Sequence, residues 1–151
     1  MLKLFIASDS HNTSCVERFA LLTKNCDQAV FLGDVLEDAE RMEQLSGKKM
    51  LKVAGNCDFF SRCEREIVMT LEGTKLLMVH GDAYGVKYGL DRLACHAAEV
   101  GAKAALFGHT HKPFAGYVNG VLLMNPGALQ NRCYGMLTLS NGEAVPKLLT
   151  L

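Results

Sequence analysis

Short apolar runs alternate with helical patterns through the first half of the chain. Strands are predicted over segments 2–7, 29–32 and 50–54. A helix is predicted to start near Ser14, because Ser14 and Glu17 have the spacing of a capping box. A second, charged helix is predicted over 38–45, with Gly47 in the turn that follows it. This alternation is typical of βαβ units and of a largely parallel sheet.

The second half of the chain changes to hairpin patterns. Segments 66–71 and 75–79 flank the turn sequence Glu72-Gly73-Thr74, and a further strand is predicted over 104–107. Asn119-Gly120 and Asn141-Gly142 are strong hairpin turns between apolar runs. The last third of the chain is therefore predicted to be antiparallel.

A helical stripe separates the first hairpin from the later strands. Its apolar positions recur at helical spacing, and Gly101 is predicted to end the helix. The stripe consists of Leu90, Leu93, Ala94, Ala97 and Ala98. The full pattern predicts an α/β fold in which helices cover a mixed sheet and a second sheet packs against the first.

Composition narrows the class of protein. The 151 residues are 49% hydrophobic, and 16 basic residues balance 16 acidic ones. We expect one domain over residues 1–151. We also expect no binding of duplex nucleic acid, because the chain lacks the net positive charge on which such binding depends. The absence of a long apolar run or a leader pattern predicts a cytoplasmic protein without a membrane partner. Six cysteines without a C-x-x-C pair predict free thiols.

Five predicted strands end in side chains that can bind a metal. The carboxyl ends of strands in open α/β sheets are where ligands bind, so these ends can converge at one edge. They carry Asp9 and His11, Asp34, Asn56, His80, and His109 with His111. Mixed imidazole and carboxylate donors suit Mn, Fe, Zn, Co or Ni. Seven donors exceed the needs of one ion, and a pair of divalent ions with two carboxylates leaves positive charge for a phosphate.

These motifs resemble, in order and spacing, those of the calcineurin-like metallophosphoesterases, and most closely the small bacterial and archaeal YfcE-like phosphodiesterase branch. The segments that carry the resemblance are Asp9-Ser10-His11, Gly33-Asp34, Gly55-Asn56-Cys57-Asp58, His80-Gly81, Gly108-His109-Thr110-His111-Lys112-Pro113 and Asn125-Pro126-Gly127. The resemblance implies a four-layer α/β/β/α sandwich with two mixed β-sheets, the metallophosphoesterase fold.

The resemblance also implies a role for each donor. Asp9, His11 and His111 would hold one ion, Asn56, His80 and His109 the second, and Asp34 would bridge them. Mn is the first expectation for the two divalent transition-metal ions, with Ni, Zn, Fe and Co as alternatives. The implied reaction is hydrolysis of a small phosphodiester by metal-activated water without a covalent intermediate. Asp34, Asn56, His80 and His109 are the residues assigned to catalysis.

Four residues near these motifs carry separate expectations. Cys57 stands where the superfamily commonly has a histidine that donates a proton, and we expect it to be a small buried side chain. Such a site favours substrates with good leaving groups, or proton donation by water or by another residue. Asp58 and Asp82 either orient a histidine or are solvated loop acids. His96, outside every motif, is expected on the surface or half-buried in its helix.

Two other functions use the same fold. The first is a non-catalytic protein-interaction scaffold that resembles the Vps29 subunit of retromer, and the second is a phosphomonoesterase with the same site. His11, His80, His109 and His111 are all present, which favours the enzyme over the scaffold. A small phosphoester is the expected partner, and the sequence leaves the oligomeric state open.

Overall fold

Ten strands and three α-helices are found in residues 1–11 and 14–151, the part of the chain that this computed structural model describes. The strands are β1 (Leu2–Ala7), β2 (Gln28–Phe31), β3 (Met50–Lys52), β4 (Glu66–Leu71), β5 (Thr74–Val79), β6 (Ala104–Leu106), β7 (Phe114–Val118), β8 (Val121–Asn125), β9 (Cys133–Ser140) and β10 (Glu143–Thr150). The helices are α1 (Val16–Lys24), α2 (Leu36–Ser46) and α3 (Asp91–Glu99).

The strands form two mixed sheets of five. The first sheet has the order β10-β9-β1-β2-β3, and the second has the order β4-β5-β6-β8-β7. β1 and β2 are parallel with Leu4 opposite Gln28, whereas β1 and β9 are antiparallel. β5 and β6 are parallel with Leu76 opposite Ala104. Each sheet therefore has a parallel pair near its centre and a hairpin at one or both edges.

Three apolar layers hold the sheets and helices together. Side chains alternate between the faces of each strand, so Ile6 of β1 and Met78 of β5 pack between the sheets, whereas Phe5 faces the other way. α1 and α2 cover the outer face of the first sheet, with Phe19 in that layer. α3 covers the second sheet through Leu93. The predicted four-layer α/β/β/α sandwich with two mixed sheets is confirmed.

The helix starts and one helix face differ from the predictions. α1 begins at Val16, and among the described residues no side chain caps it, so the capping box at Ser14 is wrong. α2 begins at Leu36 rather than at residue 38. Its first N–H groups are bound by a distant carboxylate that local spacing does not reveal. Ala98 is exposed rather than buried, because α3 presents only three of the stripe residues to the sheet.

The predicted hairpin turns are all present. Glu72 and Gly73 both have positive φ (48° and 76°), as do Asn119 and Gly120 (49° and 82°). Gly47 and Gly101 follow their helices in the left-handed conformation. All six cysteines are free thiols, and no helix of the described residues is long and apolar enough to cross a membrane.

Candidate metal centre

Four of the predicted strand ends meet at one edge of the sandwich. β1 leads to Asp9 and β2 to Asp34 in the first sheet, while β5 leads to His80 and β6 to His109 in the second. Because each of these pairs is parallel, both members end at the same side of their sheet. The two parallel pairs thus bring donors from both sheets together.

The first group of donors consists of Asp9, His11 and His111, whose candidate ligand atoms lie within 4.8 Å of one another. Asp9 Oδ1 is 3.2 Å from His111 Nε2 and 3.7 Å from His11 Nε2. The other carboxylate oxygen, Oδ2, accepts hydrogen bonds from the Ser8 hydroxyl and from the backbone N–H of His109. One oxygen of Asp9 is therefore held by the protein, and the other faces imidazole nitrogens.

Two buried atoms of this group lack hydrogen-bond partners. They are Asp9 Oδ1 and His11 Nε2, and neither has a partner among the described residues. A buried polar atom without a partner costs about 1–3 kcal/mol. A divalent cation between the carboxylate oxygen and the imidazole nitrogen would satisfy both atoms. The donor set therefore fits a metal ion.

The second group consists of Asp34, His80 and His109, again with ligand atoms within 4.8 Å. His80 Nε2 lies 3.3 Å from Asp34 Oδ2 and 3.2 Å from His109 Nδ1. His80 Nδ1–H donates to the carbonyl of Leu32 at 2.7 Å. This bond leaves the lone pair on Nε2, which points into the group, and it is the orientation that a metal-binding histidine needs.

Asp34 lies between the two groups. Its Oδ2 is 3.7 Å from His11 Nε2 as well as close to His80. Its Oδ1 accepts the backbone N–H of Cys57 at 2.9 Å. Asn56 precedes that N–H, and its side chain is exposed with Nδ2 3.7 Å from Cys57 Sγ.

Asp58 has a role that the sequence did not predict. Its carboxylate is buried and accepts four backbone N–H bonds of 2.8–2.9 Å, and it neither orients a histidine nor lies in solvent. The donors are Asp34, Val35, Leu36 and Gly55. Asp58 thus joins the loop of Asp34 to its own loop and binds the first N–H groups of α2. The donors lie up to 24 residues away, so no local signal identifies it.

The structure corrects the expectation for Cys57. The side chain is exposed, not buried, and its Sγ lies within 4.8 Å of ligand atoms of His11 and Asp34. Partial desolvation and the nearby Asp34 carboxylate raise the pKa of the thiol. A thiol with a raised pKa remains protonated at neutral pH and is a weak acid catalyst.

Asp82 and His96 lie outside the two groups. Asp82 is exposed, which agrees with a solvated loop acid. His96 is half-buried, and its Nε2 lies 2.7 Å from Glu66 Oε1. The ring of Tyr84 stacks on His96, and its hydroxyl donates to the same glutamate oxygen. The expectation of a half-buried histidine outside the site is confirmed.

Left-handed backbone is concentrated among the candidate ligands. Five of the seven have positive φ: Asp9 (56°), His11 (45°), Asp34 (67°), His109 (69°) and His111 (63°). Asp and His tolerate this region better than most residues, but it still costs free energy relative to ordinary backbone. The surrounding structure must hold these conformations, as the Asp58 carboxylate does at Asp34. Such strain is typical of functional sites.

Three glycines allow the loops to approach each other closely. A Cβ at Gly55 would overlap Asp34 Oδ1, and a Cβ at Gly108 would overlap the Ser8 hydroxyl. Gly33 also has a φ of 101°, and a Cβ there would lie 2.6 Å from the backbone nitrogen of Gly55. Gly55 and Gly108 are therefore needed for space rather than for a turn.

The charges of the centre shift three pKa values. Burial alone would raise the pKa of Asp34, but the hydrogen bond to His80 and the charge of its ring hold it well below its usual range. Burial disfavours the charged form of His80, but its hydrogen bond to Asp34 and the charges of Asp9 and Asp34 raise its pKa. Burial and the charge of His80 lower the pKa of His109. The Asp34 carboxylate is thus kept ionised and His109 neutral, as metal ligands must be, whereas a bound metal ion would have to displace the proton that His80 holds more tightly.

The chain is similar to proteins of one family. Residues 2–142 match the family described as "Calcineurin-like phosphoesterase superfamily domain". A probable metallophosphoesterase of Bacillus subtilis, YsnB, is 31% identical over 152 residues, which cover 95% of this chain and 88% of the relative.

Solved structures with the same fold include a predicted phosphoesterase and a vacuolar protein sorting protein. A conserved protein of Streptococcus pneumoniae TIGR4, described as a predicted phosphoesterase, has a TM-score of 0.82 and 23% identity over 99% of this chain and 89% of its own. Vacuolar protein sorting 29 from Cryptosporidium parvum also has a TM-score of 0.82, with 18% identity over 99% of this chain and 91% of its own. At these identities the likeness concerns the fold alone.

Proposed function

Because the chain belongs to the calcineurin-like phosphoesterase superfamily, we propose that it hydrolyses small phosphodiesters at a centre of two divalent metal ions. The family and its fold are as the sequence resemblance predicted, and they make the chain a metal-dependent phosphoesterase. The observation that carries the finer proposal is the pair of buried, unpartnered atoms Asp9 Oδ1 and His11 Nε2 within a larger set of donors. One ion would be held by Asp9, His11 and His111, the second by Asn56, His80 and His109, and both by Asp34.

The protein's own groups orient the donors. The Leu32 carbonyl fixes the His80 ring, and the Ser8 hydroxyl and His109 N–H fix one oxygen of Asp9. The Cys57 N–H does the same for Asp34. Two bound divalent ions would supply Lewis-acid polarisation of the phosphoryl group and a water of lowered pKa.

Charge balance favours a diester over a monoester. Two divalent ions bring four positive charges, and the carboxylates of Asp9 and Asp34 return two negative ones. A diester with one negative charge and one hydroxide neutralise the remainder, whereas a monoester dianion with a hydroxide leaves an excess negative charge. Cys57, with its raised pKa, is a poor proton donor, so esters with good leaving groups should react fastest.

Asp34→Asn is the test of this proposal. We expect the wild type to bind two equivalents of Mn²⁺ and to hydrolyse bis-p-nitrophenyl phosphate faster than p-nitrophenyl phosphate. Asp34→Asn should lower kcat about 10²–10³-fold, because a carboxylate that lies between the two donor groups is lost. Asp27→Asn, a matched change at an exposed acid at the opposite end of β2 from Asp34, should retain activity. An Asp34→Asn protein as active as the wild type would refute the proposal.

A Vps29-like interaction scaffold is the second candidate, favoured by the TM-score of 0.82 to that fold. It predicts a protein with no diesterase activity at any metal loading. Elemental analysis of the purified protein, together with the same assay, separates the two. Stoichiometric metal together with turnover supports the enzyme. The absence of both metal and turnover supports the scaffold.

A further inference from the structure

A groove of about 540 Å³ opens beside the candidate metal centre. Its walls are apolar and two lysines stand at its rim. The apolar residues are Val86, Leu90, Phe107 and Phe114, and the lysines are Lys87 and Lys112. Val86 and Phe107 are buried, whereas both lysines are exposed. We call this the side groove. Its volume lies within the range of about 300–1,000 Å³ that is typical of small-molecule sites.

The side groove borders two of the loops that carry candidate metal ligands. Thr110 lines it and stands between His109 and His111 in the chain. Val86, in its wall, packs against the backbone that follows His80: a Cβ at Gly81 would lie 2.9 Å from Val86 Cγ2. The groove therefore begins next to three candidate ligands that come from two different strands.

The lysines of the side groove are available for an anion. Among the described residues, neither Lys87 nor Lys112 forms an ion pair. The protein has zero formal net charge. The positive charge of the two lysines is therefore a property of this rim and not of the protein as a whole.

We propose that the side groove binds one ester group of the phosphodiester substrate, and that this group is an apolar ring that bears a second negative charge. The inference rests on the proposed function, since the phosphate must lie at the metal centre. The apolar walls would take the ring out of water, and the lysines would meet its anionic substituent. The substrate class is thus an aryl or nucleotide-like diester with an additional anionic group.

A second cavity does not compete for this role. It measures about 560 Å³ but lies between α2 and β3, among Glu40, Glu43, Lys48 and Lys52. It shares no residue with the candidate centre, and salt-bridged charges such as Lys52 with Glu43 line it. A phosphodiester held at the metal centre would have no defined path to that cavity.

Three phosphonates test the side groove, and each one adds a group to the one before it: first a phenyl ring, then a carboxylate. Methylphosphonate, phenylphosphonate and para-carboxyphenylphosphonate are compared as competitive inhibitors of methyl p-nitrophenyl phosphate hydrolysis by the Mn²⁺-loaded protein. We expect the phenyl group to tighten inhibition about tenfold, because apolar surface is buried. The carboxylate should add roughly threefold, as an ion pair with exposed lysines does.

Matched variants assign each gain to its residues. Phe114→Ala should remove the phenyl gain, and Lys87→Ala combined with Lys112→Ala should remove the carboxylate gain. Tyr117→Ala is the control on the same strand, since Tyr117 lies on the opposite face and is 72% exposed. Lys147→Ala, on β10, is the charge control. The two control changes, Tyr117→Ala and Lys147→Ala, should leave kcat for methyl p-nitrophenyl phosphate unchanged.

The outcomes separate the two proposals. Turnover without any phenyl preference, or a preference that survives in Phe114→Ala, overturns the side groove and leaves the phosphodiesterase intact. If Phe114→Ala does not fold by circular dichroism, Leu90→Ala takes its place with the same expectation. No turnover of any diester by metal-loaded protein overturns the proposed function, and the side groove with it.

Discussion

The hairpin turns and the candidate metal centre both contain left-handed backbone, but they accommodate it differently. At the hairpins, Asn or Glu is followed by Gly, as in Asn119-Gly120, and neighbouring residues alone explain the turn. At the centre, Asp34 and His109 adopt positive φ without being glycine. Their conformations depend on groups far along the chain, such as Asp58. Left-handed backbone is therefore accommodated by neighbouring residues where it only turns the chain, and by distant groups where donors must face one another.

Among the changes that distinguish the metal centre from the hairpins, Asp58→Ala is expected to have the largest effect on stability. Four backbone N–H groups would lose their acceptor inside the protein, so the free energy of unfolding should fall by about 3–5 kcal/mol. Urea denaturation of the metal-free protein measures it. Asp82→Ala, at an exposed acid, should change stability by less than about 0.5 kcal/mol. Equal losses in the two variants would show that Asp58 does not hold the Asp34 loop.

Gly55→Ala and Gly120→Ala compare one glycine from each region. A Cβ at Gly55 would overlap Asp34 Oδ1, so we expect a loss of about 2–3 kcal/mol and weaker Mn²⁺ binding. Gly120 has no atom within 4 Å of a Cβ but has a φ of 82°, so Gly120→Ala should lose only about 1 kcal/mol from backbone strain. Urea denaturation and metal titration measure both. A Gly120→Ala protein with impaired metal binding would contradict the separation of the two regions.

The pH dependence of the metal-free protein gives the smallest expected effect. Because the pKa of His80 is raised in the folded state, its stabilising contribution is present below the ordinary pKa of about 6.5 and is lost as pH rises through the folded pKa. The pKa of His109 is lowered, so its contribution has the opposite sign: it is present above about pH 6.5 and is lost as pH falls through the folded pKa.

NMR titration of the two rings measures this difference. His80 should titrate at a higher pH than His109. Addition of Zn²⁺ to Mn²⁺-free samples should abolish both titrations, because bound metal displaces the proton. The hairpin resonances should not change over the same pH range. Identical midpoints for the two rings would contradict the geometry in which Asp34 lies next to His80.

The sequence predicted those features whose causes are local. The hairpins follow from adjacent turn residues, and Asp9, Asp34, His80 and His109 follow from the rule that parallel strands place their carboxyl ends at one edge. Ser14 failed as a cap because α1 starts one residue later than the capping box requires, with Cys15 at the N-cap position. The exposure of Cys57 and the four bonds of Asp58 depend on how distant loops meet, which no spacing records. One domain over 1–151 and a cytoplasmic location stay predictions.

The strand order has a consequence for synthesis on the ribosome. β1 needs β9 beside it, and the donor set is complete only when His111 has joined Asp9 across the two sheets. At ~5–20 residues per second, roughly ten seconds of translation separate β1 from β9, and one edge of β1 stays open for that interval. A metal ion cannot find its full set of ligands on the nascent chain. Metal loading at the candidate centre would therefore be a late event that follows the joining of the two sheets.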